Sequence, residues 1–137
     1  MSGELFSLLA HHSILRHSIS EEGEDPAAFL SAAKRAAEHP ENIALKLFGL
    51  RAASLLNYPQ PQVARAKLSG MIIGHEIGVA RTFWSGRPVA IIGTSKLLSL
   101  YHIVLDGEGA DTRLVGTKIA VLSGLAMATR QVGAAAA

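Results

Sequence analysis

Cysteine is absent from the chain, which excludes disulfides, thiolate zinc sites and cysteine nucleophiles. Long apolar runs are also absent. The most apolar windows, Met71–Ile73 and Val89–Ile92, fall far short of the roughly 20 residues that a membrane span requires. No stretch of one charge dominates: thirteen Lys and Arg residues are scattered through every segment and the net charge is +2. Nucleic acid needs a concentrated basic face, so it is not an expected partner, and neither is a membrane. No basic region precedes an apolar stretch near Met1, so a signal peptide is not expected and a cytoplasmic location is. Aspartate is scarce: Asp25, Asp106 and Asp111 are the whole set. His11 and His12 are adjacent, about 100° apart on a helix, and have no acidic partner three or four residues away. No metal site is expected there, nor in the acidic stretch Ser18–Asp25, which lacks calcium-loop spacing and reads as a surface loop around Gly23.

What remains is a chain of 137 residues, 49% hydrophobic, enough for one domain with a real core. Leu5, Leu8, Leu9, His12 and Leu15 recur at helical spacing and predict a helix from Glu4 to Leu15. Asp25-Pro26 is a cap followed by a first-turn proline, and it opens a helix with Phe29, Leu30, Ala33 and Ala37 on its inner face, stopped by His39-Pro40. Ile43, Leu47, Leu50, Ala53 and Leu55 or Leu56 carry a third helix to Asn57. Tyr58-Pro59-Gln60-Pro61 is the clearest break.

A single long helix is expected from Gln62 to Phe83, with Gly70, Gly74 and Gly78 on one stripe. Glycine inside a helix costs roughly 1 kcal/mol relative to alanine, so three in register require a gain: close approach of another backbone or of a flat ligand. Lys67, His75, Glu76 and Arg81 argue against a membrane dimer motif, and Val79 stands where a zinc-binding helix would carry its second histidine.

The organising stretch is Pro88–Ser99, in which the apolar strand Val89–Ile92 runs into Gly93, then Thr94 and Ser95, and at once into a helix reaching Leu105. A strand that ends on glycine and feeds a helix leaves backbone N–H groups facing a cleft, a receptor for polar atoms of a nucleotide. The same residues also serve an ordinary turn, with Gly93 making a bend and Thr94 or Ser95 capping the helix. After the polar connection Asp106–Asp111 the pattern repeats: strand Thr112–Val115, then Gly116-Thr117-Lys118, then a helix Ile119–Val132, with Ala134–Ala137 as a frayed tail. Gly116-Thr117-Lys118 lacks the earlier glycine and the residue order of a phosphate-binding loop. Two strand–glycine–helix units describe one βαβ unit with parallel strands, in a helix-rich α/β chain of about six helices. Both strands are continuously apolar, as strands buried on two faces of a larger sheet are, and two strands do not make such a sheet. Further strands upstream of Met1, or another chain, are expected to complete it.

Met1–Leu9, Leu68–Glu76 and Val89–Tyr101, in this order along the chain, resemble the C-terminal part of the 2-dehydro-3-deoxygalactonokinases. These are sugar-acid kinases of the ribonuclease H-like (actin-like ATPase) superfamily, and the resemblance extends through the second strand and final helix. It implies ATP-dependent phosphorylation of the 6-hydroxyl of 2-dehydro-3-deoxy-D-galactonate, with Mg2+, in galactonate catabolism. Gly93, Thr94 and Ser95 match the turn that faces the adenosine, and Gly70 and Gly74 the helix on the same side of the cleft. Gly116 and Thr117 end the neighbouring strand and are further nucleotide-binding candidates, and Gly3 and Glu4 match a segment on the substrate side. The resemblance makes residues 1–137 the nucleotide-side lobe of a longer kinase. The family's N-terminal phosphate-binding turn, second phosphate loop and catalytic carboxylate have no counterpart here, so no catalytic residue is expected and the chain alone should be inactive. The non-enzymatic alternative is a helical interaction module that packs on a partner through Gly70, Gly74 and Gly78.

Overall fold

The computed structural model describes residues 1–56 and 60–135 and divides them into two units, Met1–Phe83 and Trp84–Ala137. The first unit is helical: α1 (Ser2–His12), α2 (Pro26–Glu38), α3 (Ile43–Leu56), α4 (Pro61–Val79) and a short α5 (Arg81–Trp84) that runs to the boundary. The second holds β1 (Val89–Gly93), α6 (Ser95–Gly107), β2 (Thr112–Gly116) and α7 (Thr117–Ala135).

Helices α1, α2 and α3 pack on α4 in the first unit, and Leu68, fully buried, belongs to a core cluster with Ala10, Leu15, Ala32, Leu50, Ala64, Met71 and Ile72. The closest pairing is α2 on α4. Asp25 caps α2 as its side chain accepts from the Ala28 N–H at 2.9 Å, and Pro26 fills the first turn. Its buried face is Phe29, Ala32, Ala33, Ala36 and Ala37, while Leu30 is exposed. Those alanines lie against the Gly70, Gly74 and Gly78 stripe so closely that a Cβ on each glycine would come within 3.0 Å of the carbonyl oxygen of Phe29, Ala33 or Ala37 respectively. The compensating gain for three helical glycines is therefore backbone contact with this chain's own α2.

Several boundaries differ from the sequence expectation. The first helix ends at His12 instead of Leu15, because Ser13 turns extended and offers its hydroxyl to the backbone. Ser13 Oγ donates to the Leu9 carbonyl at 2.6 Å and accepts from the Leu15 N–H at 3.0 Å. A 3-10 turn, Ile14–His17, follows and seats Leu15 in the core. The inner side of α1 is Phe6, Leu9 and Ala10, and Leu5 and Leu8 face outward. The long helix expected over 62–83 stops at Val79, where Ala80 leaves helical geometry with ψ 3°, and α5 restarts it. Asn57, Tyr58 and Pro59, the end of the expected third helix and half of the expected break, lie outside the described residues. Gln60 and Pro61 open α4, with proline in its first turn.

In the second unit β1 and β2 pair in parallel, Val89 opposite Thr112 through to Gly93 opposite Gly116, and α6 is the crossover. Gly86 (φ +71°) and Gly109 (φ +78°) make the turns into β1 and out of α6 in the left-handed region, which few other residues occupy. His102 on α6 shares a 2.8 Å hydrogen bond with Thr112 on β2, tying crossover to strand. The expected βαβ unit is present, each strand one residue longer than read because it includes its glycine. Ala134 and Ala135 continue α7, and Ala136 and Ala137 lie outside the described residues.

Candidate functional site

Parallel pairing in register sets Gly93 beside Gly116, so the two strand–glycine–helix turns open side by side at the carboxyl end of the sheet. In open parallel sheets that end is where ligands bind. Gly93, Thr94 and Ser95 form the turn into α6, and Gly116 and Thr117 the turn into α7. Five of the residues singled out in the sequence are thus brought together. Thr94 is the N-cap of α6 in extended conformation (φ −75°, ψ 155°), yet its side chain makes no capping hydrogen bond. Thr94, Ser95 and Thr117 are exposed.

Neither glycine is demanded by local crowding. A Cβ at Gly93 would meet only the Leu98 side chain, at 4.0 Å, and one at Gly116 would meet nothing within 4 Å. Neither has a positive φ. The approach to the end of the sheet is therefore open above both backbones, and the first N–H groups of α6, a 13-residue helix, carry its positive dipole end there.

Gly70 and Gly74 are placed differently. Both are buried in the first unit, and the space beside them is filled by the backbone of α2. A flat ligand on that stripe would have to displace the helix, and so would an outside partner helix. Gly3 and Glu4 lie in the first turn of α1, both exposed. Beside them Ser2 Oγ donates to the carboxylate of Glu76, fastening the start of α1 to α4. His75 donates from Nδ1 to the Pro40 carbonyl at 2.9 Å, an internal tie that the sequence did not reveal.

The residues at the end of the sheet offer N–H groups and hydroxyls but no carboxylate. Among the described residues no three of His, Cys, Asp and Glu converge on a point that could hold a metal ion. The donor set suits neutral and anionic acceptors and does not fit Mg2+, which takes carboxylate and phosphate oxygens. Among the described residues, too, no helix is long and apolar enough to cross a membrane.

Such a parallel αβ unit, joined in one chain to a helical unit, defines a class of α/β protein that a comparison with known sequences narrows to one family. Residues 1–128 match the family model of 2-keto-3-deoxy-galactonokinase, and the chain belongs to that family. It is 38% identical over 136 residues to a protein of Rhizobium meliloti (strain 1021) described as a 2-dehydro-3-deoxygalactonokinase, covering 96% of this chain and 44% of that protein. The 2-dehydro-3-deoxygalactonokinase of Escherichia coli (strain K12) is 28% identical over 127 residues, covering 91% of this chain and 43% of the relative. A crystal structure from Sinorhizobium meliloti, also described as a 2-dehydro-3-deoxygalactonokinase, superposes with a TM-score of 0.88 at 38% identity, over 96% of this chain and 45% of that one. The chain spans less than half the length of the relatives it matches.

Proposed function

We propose that this chain is the nucleotide-side lobe of a sugar-acid kinase of the actin-like ATPase fold, which phosphorylates 2-dehydro-3-deoxy-D-galactonate at its 6-hydroxyl with ATP. The observation that carries this reading is the pair of glycine turns, Gly93–Ser95 and Gly116–Thr117, set side by side at the carboxyl end of parallel strands. There the N-terminal N–H groups of α6 donate to the adenosine's polar atoms, and the hydroxyls of Thr94 and Ser95 hydrogen-bond to them. Bare backbone at Gly93 lets the ligand approach closely. Gly70 and Gly74 hold α4 tight against α2 within the first unit. Gly3 and Glu4 stand on the substrate side.

The lobe is silent by itself. Phosphoryl transfer needs a metal site, phosphate donors and a group that positions or activates the hydroxyl, and the end of the sheet has no carboxylate for either task. The remaining parts belong to the portion of a family-length kinase that this chain does not span, in a cytoplasmic enzyme of galactonate breakdown.

The purified chain, given ATP, Mg2+ and 2-dehydro-3-deoxygalactonate, is expected to produce no phosphorylated sugar, and turnover by it alone would contradict the reading. The sharper test is in a family-length enzyme carrying this segment. Gly93→Val should raise the KM for ATP several-fold and leave the KM for the sugar acid nearly unchanged. Misfolding would not explain that outcome, because a side chain there meets only Leu98. An enzyme with unchanged ATP dependence would make Gly93 a turn residue only.

A further inference from the structure

Glu76 stands in the last turn of α4, where its charge opposes the helix dipole, yet the stretch around it is firmly held. Gly74 and Gly78 on either side lie against the backbone of Ala33 and Ala37, His75 donates to the Pro40 carbonyl at 2.9 Å, and Ile73 and Ile77 are buried. From this base the Glu76 carboxylate accepts from Ser2 Oγ, the first residue of α1. Met1, at the N-cap of α1, makes no side-chain capping bond, and helix ends without one fray. At the start of α1 the charge of Glu76 meets the positive end of a dipole, which offsets its cost in α4. Ser2 and Glu4 are about 200° apart around the helix, so the tie through Ser2 turns Glu4 away from α4. Glu4 is accordingly exposed, and its carboxylate makes no hydrogen bond or ion pair among the described residues.

We propose that Glu76 is a positioning residue of the kinase: through Ser2 it fixes the first turn of α1, and so holds the free carboxylate of Glu4 where it accepts hydrogen bonds from hydroxyl groups of the sugar acid. The assignment rests on the reading that puts Gly3 and Glu4 on the substrate side. Chemistry selects which part of the substrate Glu4 meets. A carboxylate accepts from hydroxyls and repels another carboxylate, so Glu4 takes the hydroxyl-bearing end of the sugar acid and not its acid group. Gly3, with nothing within 4 Å of where a Cβ would stand, leaves the approach beside Glu4 open. A binding group is placed only as precisely as the element behind it, and the clamped end of α4 is that element.

Steady-state kinetics of a family-length enzyme carrying this segment test the assignment. Glu4→Gln should raise the KM for the sugar acid. Glu76→Ala and Ser2→Ala should each raise it about threefold to tenfold, the range that one hydrogen bond supports, with kcat and the KM for ATP within about twofold of the unmodified enzyme. The double variant should be no worse than either single one, because both act through one bond. Glu76→Gln, which keeps an acceptor for Ser2 Oγ, should recover most of the loss. Ser2→Ala removes one hydroxyl at the edge of the fold, so misfolding does not account for its effect. If Glu4→Gln raises the sugar-acid KM while Glu76→Ala and Ser2→Ala leave it unchanged, the positioning role is overturned and the substrate-side reading stands. Additive losses in the double variant, no recovery in Glu76→Gln, or an equal rise in the KM for ATP overturn the role as well. If Glu4→Gln itself leaves the sugar-acid KM unchanged, the substrate-side reading fails and the role of Glu76 with it.

Discussion

The two units bury their apolar residues to very different degrees. In Met1–Phe83, α4 is wrapped by α1, α2 and α3, and Ala64, Leu68, Ile72, Ile73 and Ile77 are each at most 4% exposed. In Trp84–Ala137 the buried apolar residues are Val104 and Leu105 alone among those described, while Ile92, Leu114, Ile119, Leu122 and Leu125 are between 46% and 66% exposed. Both units are rich in apolar residues, so composition does not separate them. Topology does. A helical unit closes on itself through local contacts, whereas a parallel sheet is covered only when helices and further strands lie on both faces. Two strands leave most of that cover to be supplied, and the proposed lobe-and-remainder arrangement of a family-length kinase supplies it.

The largest expected effect falls where the first unit is tightest. Gly74→Ala would set a Cβ against the Ala33 carbonyl carbon at 2.7 Å, and the obstacle is backbone, which does not swing aside. The gain in helix propensity, about 1 kcal/mol, is smaller than the cost of separating α2 from α4, and a net loss of about 3 kcal/mol or more is expected in urea unfolding. An unchanged midpoint would mean that the two helices are further apart than described. Next comes Leu68→Ala, which empties a fully buried position and should cost about 2–5 kcal/mol. Its counterpart in the other unit, Leu122→Ala, removes the same atoms from a side chain 56% exposed and should change stability by less than about 0.5 kcal/mol. Comparable losses at the two leucines would erase the distinction between the units. Smaller again is Asp25→Ala, which removes the cap of α2 and should cost about 1 kcal/mol, read from the same unfolding curves.

The sequence made some of this legible. The repeated strand–glycine–helix pattern announced a parallel βαβ unit, and parallel register then placed Gly93 beside Gly116 without further information. The glycine stripe announced a close approach, but spacing alone does not say what approaches, and α2 proved to be the occupant. Boundaries failed where a side chain competes for backbone bonds: Ser13 ends α1 three residues early, and no apolar period registers a hydroxyl. Periodicity also misassigned Leu30 to an inner face, because an apolar residue at helical spacing reads the same whether or not anything covers it.

The smallest effect separates the units most cleanly, since it repeats one chemical change at a site of opposite character. Gly116→Ala adds the same methyl group as Gly74→Ala, at a position where a Cβ meets nothing within 4 Å and φ is not positive. Folded-state contacts therefore neither gain nor lose. Alanine narrows the conformations open to the unfolded chain, so stability should hold or rise by about 0.5 kcal/mol. Unfolding of the purified chain measures it. A loss above about 1 kcal/mol would mean that the carboxyl end of the sheet is occupied in solution, by a second copy or by a segment of this one. The open approach on which a nucleotide depends would then be closed in the isolated chain, and Gly93 would have to be tested only within a family-length enzyme.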